Sequence, residues 1–205
     1  MKILVFADDL SWNELVTGNH DIEWIRAENI DSFANKDEVD GYFNLSENAF
    51  AVDYSQFKKP VFINSVSGTL KDIAAAGNIS RINGWHGFIK RNAWEVAGKI
   101  NDASAAIVKA MNKEYVQVPD EPGFISARII AMIINEAYFA KAENVSTEQE
   151  IDIAMKLGTN YPHGPFEWAA IIGIKNIYSL LKTLSKTDNR YKPSRLLEEE
   201  AMKDQ

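Results

Sequence analysis

The chain has 205 residues, of which 46% are hydrophobic and 25% are charged, and its net charge is −7. This length and composition predict one large or two small folded domains with a buried core. The excess of acid, with no basic run to offset it, argues against a surface for nucleic acid or anionic membrane. The absence of cysteine excludes disulfides and thiolate chemistry, and it is compatible with a reducing cytoplasm, where we expect the protein.

The first residues predict a buried strand. An apolar run extends from Ile3 to Ala7 and is ended by Asp8 and Asp9. A run this short cannot form the apolar part of a signal peptide or a membrane span. We therefore expect no membrane segment at this end of the chain.

From there to residue 118 the sequence alternates between strands and short helices. The predicted strands are residues 3–6, 22–26, 41–45, 60–64, 81–89, 93–96 and 115–118. The predicted helices are residues 11–16, 31–34, 52–57, 70–76 and 102–111. This alternation is typical of a parallel α/β sheet with crossover connections. A Pro- and Gly-containing break follows, so we predict an α/β domain over residues 1–119.

Residues 120–205 predict an all-helical domain. Apolar residues between Phe124 and Phe139 surround nearly the whole circumference of one helix, which must therefore be covered on several sides. A second helix begins at overlapping capping boxes after Asn144, and we predict that it stops at Gly158. The run 161–168 contains two prolines and predicts a rigid corner before a third helix.

Four segments of this second half resemble a known family. They are PGFISAR, NEA, EQEIDIAMKLGTNYPHGPFEW and RYKPS followed by LL. In this order they resemble the C-terminal domain of the 3-hydroxyacyl-CoA dehydrogenases. The resemblance implies a reduced Rossmann-like parallel sheet domain, followed by a helical dimerisation domain of the 6-phosphogluconate dehydrogenase C-terminal type. It also implies a homodimer and an acyl-CoA-like small molecule as ligand.

The same resemblance implies where an active site would lie. In the family a His base is oriented by a Glu and assisted by a Ser and an Asn. The runs RINGWH, AWEV and FINSVS give His86 as the base, Glu95 as its partner and either Ser65 or Ser67 as the serine. These two residues lie on two neighbouring predicted strands, and a hairpin-like return of the chain would bring His86 and Glu95 together. The position of the family's Asn is Ala127, so that polar group is missing. His163 stands where the family has Met, and we assign it to packing or to an interface.

A dinucleotide-binding turn should follow the first strand as Gly-x-Gly-x-x-Gly, because bare backbone N–H groups must approach the pyrophosphate. This chain instead has Ala7-Asp8-Asp9-Leu10-Ser11-Trp12. A carboxylate about 6 Å from a phosphate charge costs roughly 1 to 3 kcal/mol at an effective dielectric of about 20 to 40. We therefore predict no cofactor at this turn, and the sequence offers no metal site.

Two functions remain open. The first is a relative of the 3-hydroxyacyl-CoA dehydrogenases in fatty-acid metabolism, with NAD-dependent activity lost or altered, that binds an acyl-CoA-like ligand or acts as a structural partner. The second is an active oxidoreductase that interconverts 3-hydroxyacyl-CoA and 3-oxoacyl-CoA. It would use NAD, with His86 and Glu95 as its catalytic pair.

Overall fold

The structure is a computed structural model and describes residues 1–18, 21–34, 38–47, 49–73 and 77–203. The chain divides into two compact units, Met1–Phe124 and Ile125–Gln205. The domain limits given above, 1–119 and 120–205, remain predictions.

The first unit contains a seven-stranded sheet, counted over the described residues, with strand order β2-β1-β3-β4-β5-β6-β7. Its strands are β1 (Lys2–Phe6), β2 (Glu23–Arg26), β3 (Gly41–Asn44), β4 (Val61–Asn64), β5 (Ile79–Ile82), β6 (Ala93–Gly98) and β7 (Glu114–Val118). Its helices are α1 (Asp9–Val16), α2 (Ile30–Ala34) and α3 (Asp102–Ala110), with 3-10 helices at Ala49–Ala51 and Leu70–Ile73. Neighbouring strands are parallel, except that β5 and β6 are antiparallel. The predicted α/β class is confirmed.

Side chains of the central strands alternate between two apolar clusters, one on each face of the sheet. On β1, Ile3 and Val5 belong to one cluster and Leu4 belongs to the other. On β4, Phe62 and Val61 are divided in the same way. Because both faces are covered, these strands have nearly continuous apolar sequences rather than a polar alternation.

Three predicted elements of the first unit were wrong in whole or in part. Residues 52–57 form turns, because the Asp53 side chain accepts a hydrogen bond from the Ser55 N–H at 2.9 Å and competes with a helix. The helix predicted at 70–76 is a short 3-10 helix, Leu70–Ile73, and residues 74–76 lie outside the described part. The strand predicted at 81–89 ends at Ile82, because local hydrogen bonds form turns after it: the Trp85 N–H donates to Asn83 Oδ1 at 3.3 Å and the Phe88 N–H donates to the Trp85 carbonyl at 2.9 Å.

The order of the strands defines where a ligand site is expected. In the sheet β1 lies between β2 and β3, so the chain reverses its direction of winding after β2. Open α/β sheets bind ligands outside the carboxyl ends of their strands at such a switch point. The segment at that place is Ala7-Asp8, directly after β1.

The second unit is helical, which confirms the predicted class. It contains α4 (Ser126–Ala142), α5 (Glu148–Thr159), α6 (Pro165–Ile172), α7 (Ile174–Ser185) and α8 (Arg195–Lys203), with a 3-10 helix at Asn189–Tyr191. Helix α5 begins at the predicted capping box of Thr147 and Glu150. Its predicted stop at Gly158 was wrong, because Asn160 takes the left-handed conformation that ends the helix, with φ 56°.

Asn135, in the NEA segment, fixes the chain that leads into α8. It is 2% exposed. Its Nδ2 donates to the Lys192 carbonyl at 3.0 Å, and its Oδ1 accepts from the Ser194 N–H at 2.7 Å. Two segments that carried the family resemblance, NEA and RYKPS, therefore contact each other through a buried amide that is hydrogen-bonded at both its nitrogen and its oxygen.

Candidate functional site at the switch point of the sheet

Asp8 follows β1 and is the N-cap of α1. Its Oδ1 accepts a hydrogen bond from the Ser11 N–H at 2.9 Å, and its Oδ2 accepts from the Ser11 Oγ at 2.8 Å. The carboxylate thereby satisfies one of the unpaired amides of the first helical turn. In a dinucleotide-binding fold, the pyrophosphate lies at this helix N-terminus.

The charge of Asp8 follows from these contacts. Partial burial raises its pKa, but the hydrogen bonds from Ser11 and the nearby His86 outweigh that effect and bring the pKa below its ordinary value of 3.8. Asp8 is therefore negatively charged at neutral pH.

Replacing Asp8 by alanine should lower the free energy of unfolding by about 1 kcal/mol at neutral pH, because the helix loses its cap. Since folding lowers the pKa of Asp8, its contribution is present above about pH 4 and is lost as the pH falls below that value. Urea denaturation at about pH 7 and pH 3 measures both effects. The variant Asp8→Asn keeps a capping oxygen and should lose less than Asp8→Ala; equal losses would contradict the capping role.

The second acid of the turn, Asp9, pairs with the end of β2. Arg26 Nη2 lies 2.7 Å from Asp9 Oδ1 and donates to the Ala7 carbonyl at 3.0 Å. The guanidinium group also lies over the Trp12 ring, 5.5 Å from its centroid. The turn after β1 is thus held by side chains of this chain, in a place where a Gly-rich turn would present bare backbone.

His86, the predicted base, lies in the loop after β5 and not on a strand. Its Nε2 lies 3.4 Å from Asp8 Oδ1, and its side chain is 31% exposed. The next residue, Gly87, donates its N–H to both carboxylate oxygens of Glu14, at 2.7 and 2.9 Å. The loop is therefore attached to α1 at two neighbouring points.

Glu95, the predicted partner of His86, lies on β6. The hairpin-like return is present, since Ile82 of β5 pairs with Val96 of the antiparallel β6. Burial lowers the pKa of Arg91, and the charge of Glu95 opposes that shift. The ion pair that the structure gives His86 is the one with Asp8, and its pairing with Glu95 remains a prediction.

The predicted serines follow β4. Ser65 is 6% exposed, and within the described part of the protein its Oγ and the Oδ1 of Asn64 are buried without a hydrogen-bond partner. A Cβ on Gly84, just after β5, would lie 2.7 Å from the Asn64 side chain, so the two strand ends are in close contact. Buried polar atoms are nearly always paired, which makes these two candidate ligand contacts. Ser67 is partly buried in the same loop.

Asn64 was missed by the sequence analysis, although its place at the carboxyl end of a parallel strand was a usable signal. Ala127, which stands at the position of the family's Asn, is 0% exposed in α4 and supplies no polar side chain. The Asn64 amide is therefore a polar group next to Ser65, within the FINSVS run from which only the serines had been predicted as site residues.

Arg81 is the other residue whose role the sequence analysis missed. It is 0% exposed, donates from Nε to the Ser65 carbonyl at 2.9 Å, and forms an ion pair through Nη1 with Asp120. Its guanidinium lies 4.7 Å from the centroid of the Phe124 ring. Burial lowers the pKa of Arg81, while the hydrogen bond and charge of Asp120 oppose that shift. Arg81 thus fixes the backbone of the segment that carries Ser65.

Two kinds of site are not found over residues 1–18, 21–34, 38–47, 49–73 and 77–203. No group of three or more His, Asp or Glu side chains is arranged to hold a metal ion. No helix in these ranges has the length and apolar character needed to span a bilayer.

The second unit matches a known domain family. Residues 123–204 match the C-terminal domain of 3-hydroxyacyl-CoA dehydrogenase. The helical unit is therefore a domain of this type. The resemblance noted in PGFISAR, NEA and GPFEW is therefore confirmed, and it covers the helical unit.

The curated 3-hydroxyacyl-CoA dehydrogenases that this chain resembles are much longer than the segments that match. The 3-hydroxyadipyl-CoA dehydrogenase of Escherichia coli is 38% identical over 123 residues, which are 53% of this chain and 26% of that protein. A probable 3-hydroxybutyryl-CoA dehydrogenase of Bacillus subtilis is 39% identical over 94 residues, 45% of this chain and 33% of that protein. The chain thus spans about a quarter to a third of each of these relatives.

Solved structures extend the likeness in fold to both units. The (S)-3-hydroxybutyryl-CoA dehydrogenase of Ralstonia eutropha superposes with a TM-score of 0.72 at 18% identity, covering 99% of this chain and 94% of that one. A 3-hydroxybutyryl-CoA dehydrogenase of Escherichia coli gives a TM-score of 0.58 at 33% identity, over 69% of this chain and 31% of that one. The first comparison shows a shared fold, including the sheet.

The 3-hydroxyacyl-CoA dehydrogenase fold implies a nicotinamide dinucleotide at the switch point, but the residues of this turn do not fit it. The Ser11 N–H is already bonded to Asp8, and the charged carboxylate lies where the pyrophosphate would lie.

Proposed function

We propose that this chain acts in fatty-acid metabolism as a relative of the 3-hydroxyacyl-CoA dehydrogenases whose NAD-dependent oxidoreduction is lost or altered. In this role it binds an acyl-CoA-like ligand, or it acts as a structural partner in an assembly. The observation that carries the proposal is the Asp8 carboxylate, which caps α1 at the place of the pyrophosphate.

Electrostatics supports this proposal. A pyrophosphate brought to the N-terminus of α1 would compete with Asp8 for the Ser11 N–H and would face its negative charge. Each such pair of charges costs roughly 1 to 3 kcal/mol at about 6 Å, which is about one to two powers of ten in affinity. The turn Ala7 to Trp12 contains no glycine and no basic side chain, and Arg26 pairs with Asp9, so the cost comes mainly from Asp8.

The acyl-CoA-like ligand is supported by the polar atoms at the carboxyl ends of β4 and β5. The buried Ser65 Oγ can donate a hydrogen bond to an oxygen of an acyl chain or accept one from it, and the buried Asn64 Oδ1 can accept one from a hydroxyl group. The matching relatives are named for 3-hydroxyadipyl-CoA and 3-hydroxybutyryl-CoA, which are CoA esters with such an oxygen.

A second candidate is the active oxidoreductase that interconverts 3-hydroxyacyl-CoA and 3-oxoacyl-CoA. The antiparallel return from β5 to β6 favours this candidate, because His86 lies in the loop between the two strands and Glu95 lies on β6. In this version His86 is the base, Glu95 orients it, and Ser65 or Ser67 contacts the substrate oxygen. It also requires NAD to bind despite Asp8.

We also propose that the protein is cytoplasmic and forms a homodimer through its helical unit. Large apolar side chains are exposed on its helices, including Ile129 at 52%, Phe139 at 38% and Leu157 at 82%. Exposed apolar groups in this number favour an interface. A single monomeric species by light scattering at micromolar concentration would contradict the dimer.

One pair of measurements tests the proposed function. Acetoacetyl-CoA and NADH are mixed with the protein, and the absorbance of NADH is followed; binding of acetoacetyl-CoA is measured by calorimetry. We expect no turnover but saturable binding, which Ser65→Ala weakens by removing a hydrogen-bonding group. Turnover that His86→Ala abolishes would establish the second candidate, and the absence of both turnover and binding would leave only the structural role.

A further inference from the structure

We propose that Asp8, and not Glu95, is the carboxylate that positions His86 in this protein. The family resemblance predicted the pair His86 and Glu95, whereas the structure places Asp8 Oδ1 3.4 Å from His86 Nε2. The new partner comes from the turn after β1, 78 residues earlier in the chain than the histidine. The inference concerns the histidine alone and does not rest on which ligand the protein binds.

Asp8 has the fixed geometry that a positioning residue needs. Both of its oxygens are held by Ser11, one by the N–H at 2.9 Å and the other by the hydroxyl at 2.8 Å. The Ser11 side chain is itself 1% exposed, so the group that holds the carboxylate is buried. Ser11, Asp8 and His86 therefore form a short chain of polar contacts that begins in the protein interior and ends at a partly exposed imidazole.

The loop that carries His86 is held against the same helix by a second contact. Both oxygens of Glu14 accept the hydrogen bond of the Gly87 N–H. Within the loop, the Phe88 N–H donates to the Trp85 carbonyl at 2.9 Å, which closes a turn around His86. These two contacts fix the backbone around His86 and so keep the start of its side chain close to α1.

This arrangement assigns different roles to the two nitrogens of the imidazole. Nε2 faces Asp8, and Nδ1 is the nitrogen that Asp8 does not hold. Proton exchange between His86 and a ligand would then pass through Nδ1. One side chain, Asp8, would cap α1, repel a pyrophosphate and orient the histidine.

The test is the nitrogen-15 spectrum of the imidazole rings in the full chain, at about pH 6, where histidine side chains exchange protons. The chain has three histidines, and the signals of His86 are assigned with His86→Gln. We expect Asp8→Asn to shift the ring nitrogen signals of His86, while Glu95→Gln leaves them unchanged. The variant Asp8→Asn keeps the capping oxygen, so α1 remains capped.

A matched control separates positioning from loosening of the loop. The variant Glu14→Gln weakens the hold on Gly87 but leaves Asp8 in place, so we expect a smaller shift of the His86 signals than Asp8→Asn gives. Urea midpoints provide a second readout, in which Asp8→Asn and His86→Gln should be non-additive. The proposal is overturned if Glu95→Gln shifts the signals and Asp8→Asn does not, or if the Asp8 and His86 midpoint shifts simply add.

Discussion

Replacing Arg81 by methionine should lower the free energy of unfolding by about 3 to 5 kcal/mol, because it removes one partner of a buried ion pair. Arg81 is fully buried, and its loss leaves the Asp120 carboxylate without its cation and the Ser65 carbonyl without a donor. The guanidinium also covers the ring of Phe124, whose φ of 49° is uncommon for a bulky residue. Urea denaturation of the two proteins measures the difference.

Two further variants show which property of Arg81 matters. Arg81→Lys keeps the charge but cannot bond Ser65 and Asp120 in the same way, so we expect about half of the loss. Asp120→Asn keeps a hydrogen-bond acceptor for the guanidinium and for the Leu70 N–H, and should cost less than Arg81→Met. A loss below about 1 kcal/mol for Arg81→Met would show that the buried ion pair is not important for stability.

Replacing Gly164 by alanine should lower the free energy of unfolding by about 3 kcal/mol. An added Cβ would lie within 2.5 Å of the Asp152 Cα and would also overlap the Asp152 carboxyl group. That carboxyl group accepts hydrogen bonds from the Phe166 and Glu167 N–H groups, so it caps the start of α6. The overlap cannot be relieved without moving backbone or losing this cap, and both changes are costly.

The same substitution at Gly158 is the matched control, and it should have the opposite sign. Gly158 lies inside α5, and a Cβ at this position would meet nothing within 4 Å. Alanine should therefore stabilise the protein by about 0.5 to 1 kcal/mol through its higher helix propensity. Thermal unfolding of both variants compares them directly. Similar effects at the two glycines would contradict the close contact between Gly164 and Asp152.

Local sequence signals were sufficient to predict most of the helices of the second unit. These signals act between residues a few positions apart. They are the capping box of Thr147 and Glu150, the apolar pattern of α4 and the prolines around the start of α6. The end of α5 was harder to predict, because both Gly158 and Asn160 can adopt a left-handed conformation. In the structure Asn160 does so and ends the helix.

The contacts of the sheet domain depend on residues far apart in the chain. The sequence predicted the sheet and the hairpin-like return from β5 to β6, but the buried role of Arg81 follows from packing. Arg81 meets Asp120 across 39 residues, and no local pattern indicates that pair. The short helix predicted at 52–57 failed for the opposite reason, since a local side-chain hydrogen bond outweighed helix propensity.

The members of the candidate site were proposed from the family resemblance, and their roles remain predictions. The family resemblance pointed to His86, Glu95 and the serines after β4, and the acids after β1 indicated an altered turn. The structure brings Asp8 to His86 and shows the buried Asn64 and Ser65 atoms. The approach of Asp8 to His86 could not be predicted, because it depends on how the loop after β5 returns to α1.

The central claim is that the Asp8 carboxylate keeps a nicotinamide dinucleotide away from the turn after β1. Titration of the protein with NADH, followed by the fluorescence of the nicotinamide, tests this claim most directly. We expect no saturable binding up to about 1 mM, the upper end of the range in which enzymes usually bind their substrates. Saturable binding well below that concentration, competed by NAD and not improved by Asp8→Gly, would contradict it.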